Sequence, residues 1–154
     1  MFLQLALPIA RMDRSGIIYN GKFPDWRKDP IEIMRASREW EEAFYFDIEG
    51  NRFWITELGE KPDRLAEQLA VAKSYFQTVP LLIPVCAHRM IPAEPHEIGN
   101  PIFSVWQAID TIHMGYNLQN YLRNEFVGPQ HDWGEDSDYR HIPFWSKLAA
   151  GRFP

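Results

Sequence analysis

Residues 81–115, "LLIPVCAHRMIPAEPHEIGNPIFSVWQAIDTIHMG", decide the fold of this 154-residue chain. Three short apolar runs, rich in branched and aromatic side chains, stand at 81–87, 101–107 and 109–114. Apolar runs of this length, bounded by prolines and glycines, are typical of buried strands. The stretch therefore predicts three strands of one sheet, with a proline-rich connection between the first two.

Helical patterns lie on both sides of this predicted sheet. "PDRLAEQLAVAKSYF" at 62–76 repeats apolar residues at helical spacing. "NLQNYLRNEF" at 117–126 does the same and begins with Asn117, a residue type that caps helix N-termini. A short terminal helix is predicted around 142–150. Strands and helices alternate without a regular βαβ pattern, which predicts one α+β domain over 1–154.

The region before residue 60 predicts a helix followed by a β-hairpin. Pro30 suits a first helical position with Asp29 as its N-cap, and the apolar pattern carries toward residue 40. Alternating apolar residues across 44–55, interrupted by Glu-Gly-Asn, predict the hairpin. Trp54 and Trp106 are interpreted as core residues on strands.

Composition limits the classes of function. The net charge is −5 at pH 7 and no basic stripe is present, which argues against nucleic acid as a direct partner. The single cysteine, Cys86, fits a reducing compartment. No apolar run reaches the roughly 18 residues that a membrane span requires. We expect a cytoplasmic protein without a membrane partner, and we interpret 1–22 as a first strand or core-packing arm.

The stretch 86–101 contains a thiol, histidines and carboxylates that suggest a metal site. Zinc takes three or four ligands, usually carried in close pairs. Cys86 and His88 would share one face of a strand, but His96 lies beyond two prolines and no second pair completes the set. His113 on a neighbouring strand is the one further ligand within possible reach. We expect no metal and no other cofactor.

Nucleophilic catalysis has little support in the same stretch. Ser104 lies within a predicted strand and lacks the Gly-x-Ser-x-Gly elbow that exposes a serine nucleophile. Cys86 and His88 have no evident third group to orient the base. A free cysteine is most often a small buried apolar residue, and we favour that interpretation.

Acid–base chemistry through Glu94, Glu97 or Asp110 stays open, because sequence separation does not show whether carboxylates converge. For His88, Arg89 and Asp110 we favour a hydrogen-bonded structural cluster that fixes the loop to the sheet. A polar group beside aromatic strands needs such a partner.

Two segments are candidates for contact with a partner protein. The proline-stiffened loop 93–100 is expected to present Glu94, His96 and Glu97 outward. In the acidic loop that opens the segment 128–154, Trp133 stands among four carboxylates: Asp132, Glu135, Asp136 and Asp138. An aromatic anchor ringed by carboxylates is typical of a charge-steered interface. A solvated loop with its tryptophan turned inward is the alternative, and the sequence does not decide between them.

Several motif blocks resemble a recurrent group of bacterial proteins in the SUKH superfamily, which also contains a fungal cell-wall regulator. The resemblance covers Phe23 to Trp145 and rests on the blocks "YFDIEGNRFWITELGEKP", His88-Arg89-x-x-Pro92, "GNPIFSV", "YLRNEF" and "IPFW". The chain departs from the group's pattern at Ala87, where Gly or Ser is usual, and in one extra residue between Gln107 and Asp110.

The resemblance implies a single α+β domain with a curved, mostly antiparallel sheet packed against helices. Many bacterial members are thought to be immunity proteins, which bind a cognate toxin inside the cell and block it. No catalytic residues come with that picture. It implies a secreted toxin as partner, and a basic effector such as a nuclease would complement the carboxylates.

Two other functions stay open at this point. One is a small-ligand-binding or hydrolytic domain that uses His88, Arg89, Asp110 and His113 around a pocket. The other is a housekeeping interaction module without a toxin. The sequence indicates no oligomeric state.

Overall fold

The computed structural model describes residues 9–12, 18–21, 30–50, 52–127 and 131–151. They form an α+β arrangement, which confirms the predicted fold class. In chain order the elements are β1 (Ile9–Met12), β2 (Ile18–Gly21), α1 (Pro30–Ala36), α2 (Trp40–Glu49), α3 (Leu65–Phe76), β3 (Leu82–Cys86), β4 (Arg89–Pro92), β5 (Ile102–Val105), β6 (Thr111–Gly115), α4 (Leu118–Phe126) and α5 (Trp145–Ala149).

The main sheet is an antiparallel meander in the order β3-β4-β5-β6. The three strands predicted from 81–115 are all present, and the sheet has a fourth, β4, between the first two. β1 and β2 form a separate antiparallel pair within the expected arm 1–22. In the main sheet, strands that are consecutive in the chain are therefore neighbours, and they are joined directly rather than by crossovers.

Strand register gives the main sheet two distinct faces. Met90, Phe103 and His113 are cross-strand neighbours and lie on one face, which we name the core face. The next row, Arg89 and Ser104 with Ile112, lies on the opposite face, which we name the α4 face. Residues of the two rows therefore cannot converge on one point.

Aromatic side chains from α2, α3 and α5 fill the space over the core face. The Trp40 ring meets the rings of Phe44, Phe76 and Trp145 edge-on at centroid distances of 5.0, 5.1 and 4.9 Å. Such edge-to-face pairs stabilise a core beyond the area that they bury. Trp145 also donates from Nε1 to the carbonyl oxygen of Pro80 at 2.7 Å, so α5 is attached to the start of β3.

A smaller apolar cluster joins α4 to the other face of the sheet. Tyr121 of α4 packs with Val85 and Ile102, and all three are buried. The side chain of Asn117 accepts a hydrogen bond from the backbone N–H of Asn120 at 2.8 Å. The predicted N-cap of α4 is confirmed by that bond.

The predicted hairpin over 44–55 is wrong, because α2 occupies the first half of it. The buried residues of α2 include Trp40, Phe44 and Ile48, which recur every four positions along one helix face. Phe46, which the predicted strand would have placed on the same face as Phe44 and Ile48, is 54% exposed. The local period of two arose from one solvent-facing aromatic residue between two core residues.

The other helix predictions differ from the structure only at their ends. α1 begins at Pro30 as predicted but ends at Ala36, and a new helix begins at Trp40. The predicted helix 62–76 begins at Leu65, and the terminal helix is α5. The proposed N-cap Asp29 lies outside the described residues. No helix in the described part of the chain is long and apolar enough to cross a membrane.

α2 is tied to the connection between β5 and β6 by a buried carboxylate. Asp47 has no exposed surface, and its Oδ2 accepts the backbone N–H of Ala108 at 2.9 Å. Ala108 begins the short 3₁₀ helix Ala108–Asp110. The bond fixes the α2 register against the sheet, because a buried amide without an acceptor would be costly.

Candidate functional site

The chain reverses direction between β3 and β4 through Ala87 and His88. Ala87 has a φ of 50°, in the left-handed region, and both residues form a turn rather than a continuing strand. The expected pairing of Cys86 and His88 on one strand face is therefore wrong. Cys86 is half-buried, and burial raises the pKa of its thiol.

Arg89 connects this turn to the middle of the sheet. Its Nη1 donates to the Ser104 hydroxyl at 3.0 Å and to Nε2 of His88. Burial, and secondly the nearby Arg89 charge, lower the pKa of His88 to about 4. His88 is thus neutral at pH 7 and acts as an acceptor for the guanidinium.

The cluster predicted from His88, Arg89 and Asp110 is present in part. His88 and Arg89 are bonded to one another as expected, with Ser104 as a third member. Asp110 is exposed, and among the described residues no hydrogen bond joins its carboxylate to the pair. The Asp110 charge raises the pKa of His88, but this effect is smaller than the lowering by burial and by the Arg89 charge.

His113 lies on the opposite side of the sheet from this cluster. Its ring sits against Phe103 at 4.9 Å and Tyr139 at 4.5 Å, and burial lowers its pKa. The residues of the small-ligand hypothesis therefore do not surround one pocket, because the sheet separates His113 from Arg89. Within the described part of the chain, no three His, Cys, Asp or Glu side chains come together as metal ligands.

The loop 93–100 presents its charged residues to solvent. Glu94, His96 and Glu97 are all exposed, as the sequence predicts. Buried Asn100 stabilises the loop, because its Nδ2 donates to the carbonyl oxygens of residues 92 and 95 at 3.2 and 2.9 Å. Arg140 donates to Asn100 at 2.8 Å and pairs with Glu97 at 3.2 Å, which connects this loop to the acidic loop.

The acidic loop is fastened to α4 through Asp132. Asn124 donates to the Asp132 carbonyl oxygen at 2.7 Å and accepts the Asp132 backbone N–H at 3.1 Å, while Asn120 donates to the same carbonyl at 2.8 Å. Both asparagines are buried. The Asp132 carboxylate accepts from Arg123 at 2.9 Å and Tyr116 at 3.2 Å. Asp132 is thus an anchor of the loop as well as one of its charges.

Trp133 projects from this anchored loop. It is 48% exposed, so the inward alternative is wrong, and its ring stacks on His131 at 5.4 Å. Its carbonyl oxygen accepts the Tyr139 hydroxyl at 2.7 Å. Gly134 follows at a φ of 65°, where an added Cβ would meet Tyr116 at 2.8 Å, so the close turn requires glycine.

Three further carboxylates follow Trp133 in the same loop. Glu135, Asp136 and Asp138 are exposed, and the last two lie in the 3₁₀ helix Asp136–Asp138. Asp138 accepts the backbone N–H of Glu135 at 2.8 Å, which orders this end of the loop. The arrangement offers an aromatic side chain and negative charge on a segment whose backbone is already fixed.

The residues that hold the site together were not predicted from the sequence. They are the buried pair Asn120 and Asn124, together with Tyr139 and Arg140. The pair of asparagines four residues apart in α4 is the pattern that could have revealed them, since buried amides require polar partners. Their partner here is the backbone of Asp132.

Comparisons with known proteins add no assignment. No protein-family model, no curated protein and no solved structure matches this chain. The resemblance to the SUKH superfamily therefore rests on its motif blocks alone.

Proposed function

We propose that this protein is a cytoplasmic immunity protein, which binds a cognate bacterial toxin and occludes its active site. The observation that carries the proposal is the acidic loop 131–138, where half-exposed Trp133 and exposed carboxylates lie on an anchored backbone. The motif resemblance to the SUKH superfamily supports the choice of a toxin as partner.

Preorganisation is the physical reason to regard this loop as a binding element. The ordering of a loop on association costs free energy, and a loop already bonded to its scaffold avoids much of that cost. Asn120, Asn124 and Tyr139 supply those bonds here. Tryptophan is enriched among the few residues that dominate binding energy, and Trp133 fits that role.

The charge pattern supports a basic partner surface. Glu135, Asp136 and Asp138 are exposed and follow Trp133 within five residues, and the whole chain carries −5. Opposite charges across an interface accelerate encounter and exclude wrong partners. A toxin that acts on a polyanion, such as a nuclease, has basic residues at its active site, so these carboxylates would cover that site directly.

The loop 93–100 extends the same surface. Arg140, two residues after the acidic loop, contacts Glu97 and Asn100, so the two exposed segments are neighbours. Glu94, His96 and Glu97 would then form the second part of the contact. The geometry favours this extended polar surface over the small-ligand hypothesis, whose residues lie on two sides of the sheet.

The test is co-expression with the product of the adjacent gene, followed by co-purification and calorimetry. We expect a tight complex, and we expect the variant Glu135→Gln/Asp136→Asn/Asp138→Asn to bind about tenfold more weakly or worse. Asn at 138 keeps an acceptor for the Glu135 backbone N–H. The matched control carries the same charge change at exposed residues of α2 and the following loop: Glu42→Gln, Glu49→Gln and Glu60→Gln.

Failure to bind the neighbouring product would overturn the toxin assignment. Equal affinities of the loop variant and the control would overturn the assignment of the loop. Tight binding to a chromosomally encoded basic protein instead would identify the housekeeping module.

A further inference from the structure

A second candidate patch, in part exposed, lies at the corner of the α4 face where β5 and β6 meet. We name it the outer corner and define it by His88, Arg89, Ser104, Trp106 and Ile112. Trp106 is 61% exposed, so its interpretation as core is wrong, and Ile112 is 47% exposed. Trp54, the other tryptophan interpreted as a core strand residue, is instead half-buried outside any strand.

Strand register and side-chain contacts place these residues next to one another, with buried Ser104 between Arg89 and Ile112. Ser104 pairs with Arg89 on one side and with Ile112 on the other. The Trp106 ring meets the ring of His88 at 5.2 Å. Tyr121 of α4 packs at the other end of this face, on Val85 and Ile102, whereas Trp106 and Ile112 at the corner are exposed.

Arg89 is the unusual member of the outer corner. It is half-buried, yet among the described residues it has no carboxylate within 4.0 Å. Its partners are the neutral acceptors Ser104 and His88, and its Nε is buried without a hydrogen-bond partner. A partly buried cation is normally paired with an anion, because desolvation without one is costly.

We propose that the outer corner binds the C-terminal residue of a partner polypeptide. The terminal carboxylate would pair with Arg89, and an apolar terminal side chain would pack on Trp106 and Ile112. A terminal residue carries both groups on one Cα, which suits a shallow patch where a cation and exposed apolar groups are adjacent. The site is independent of the acidic loop, and neither proposal depends on the other.

Two nearby carboxylates set the strength of this site. The negative charge of Asp110 raises the pKa of His88, and that of Glu125 raises the pKa of Cys86 and the pKa of Tyr121. Neither forms an ion pair with Arg89, but both repel an incoming carboxylate. Asp110→Asn should therefore tighten binding of a terminal carboxylate.

The test is an NMR titration of the full chain with three peptides. The probes are acetyl-Gly-Gly-Leu with a free carboxylate, the same peptide as its C-terminal amide, and acetyl-Gly-Glu-Leu amide, which carries an internal carboxylate. The readouts are the Trp106 indole N–H, assigned through Trp106→Phe, and the Ile112 amide. We expect saturable shifts with the free acid and about tenfold weaker binding of both amides.

Variants separate the site from general effects on folding. Arg89→Gln should abolish the preference for the free acid. Ile112→Thr, at an exposed strand position, should weaken binding severalfold even if Arg89→Gln folds poorly. Ile98→Thr, at another exposed isoleucine, is the matched control and should leave binding unchanged.

The proposal is overturned if the free acid gives no saturable shift at Trp106 or Ile112. Equal binding of the free acid and its amide would exclude recognition of a carboxylate. Equal binding of the internal-glutamate peptide would exclude recognition of a chain terminus.

Discussion

At the scale of single residues, Ala87 has a conformation that its side chain disfavours. Its φ of 50° places it in the left-handed region, where a Cβ approaches the neighbouring carbonyl oxygen. The turn that it forms brings Arg89 opposite Ser104 and so sets the polar cluster of the α4 face. The bacterial group that the motif blocks resemble usually has Gly or Ser at this position, and glycine would relieve this contact.

Ala87→Gly should stabilise the protein. Removal of the left-handed penalty exceeds the entropy that glycine adds to the unfolded chain, for a net gain of roughly 0.5–1 kcal/mol. Urea unfolding measures it. Ala66→Gly, at an exposed position of α3, is the matched control and should lower stability by about 1 kcal/mol. A loss of stability in Ala87→Gly would contradict this account of the turn.

His113 and His88 make stability depend on pH. Burial lowers the pKa of both rings from 6.5, for His88 to about 4, so the unfolded chain binds more protons in acid. The free energy of unfolding should therefore fall as the pH drops below about 6.5 and level off with respect to His88 below about 4.

His113→Phe should flatten that pH dependence. Phenylalanine keeps the ring contacts with Phe103 and Tyr139 and removes one group that resists protonation. Urea unfolding at several pH values between 7 and 4 measures the slope, with Ile98→Thr as a control that carries no titrating group. An unchanged slope in His113→Phe would show that His113 does not contribute.

At the scale of elements, the strands around 81–115 were predictable and α2 was not. Short apolar runs between prolines and glycines indicated β3, β5 and β6, because local composition and burial agree there. In α2 the pattern is ambiguous over a few residues, since Phe44, Phe46 and Ile48 alternate while Trp40, Phe44 and Ile48 repeat at helical spacing. The ring of Phe44 contacts the ring of Trp145, which lies far along the chain, and this contact favours the helix.

β4 was not predicted, because the turn that precedes it lacks the usual sequence signal. A two-residue hairpin turn is usually indicated by Asn-Gly or Asp-Gly, and here it consists of Ala87 and His88. The candidate binding surface was likewise predictable only where the signal is local in sequence. The exposed charges of loops 93–100 and 131–138 were legible in the sequence, whereas the bonds from Asn120 and Asn124 depend on how α4 meets the loop.

Asn124→Ala should release the acidic loop from α4. The change removes both bonds to the Asp132 backbone and leaves Asn120 as the remaining amide donor there, at a cost of about 1–3 kcal/mol. Urea unfolding measures the cost, and amide hydrogen exchange over 131–140 should accelerate. Gln119→Ala, on the exposed side of the same helix, should change stability by no more than about 0.5 kcal/mol. Similar effects of the two substitutions would contradict the anchoring role.

At the scale of the whole molecule, the fold separates two surfaces of different chemistry. Arg140 joins the acidic loop to loop 93–100, and the two loops present exposed carboxylates together with Trp133. The outer corner instead combines a cation with exposed apolar groups. The first surface suits the basic partner that we propose, and its charges should make that association faster at low ionic strength.

The most direct test of the central claim is the dissociation constant for the product of the adjacent gene, measured by calorimetry with wild type, Trp133→Ala and Phe46→Ala. Phe46 is an exposed aromatic residue of α2, distant in sequence from the loop. If the acidic loop binds the partner, Trp133→Ala weakens binding by about 2 kcal/mol and Phe46→Ala leaves it unchanged. Wild-type affinity in Trp133→Ala, or no binding by the wild type, would contradict the account.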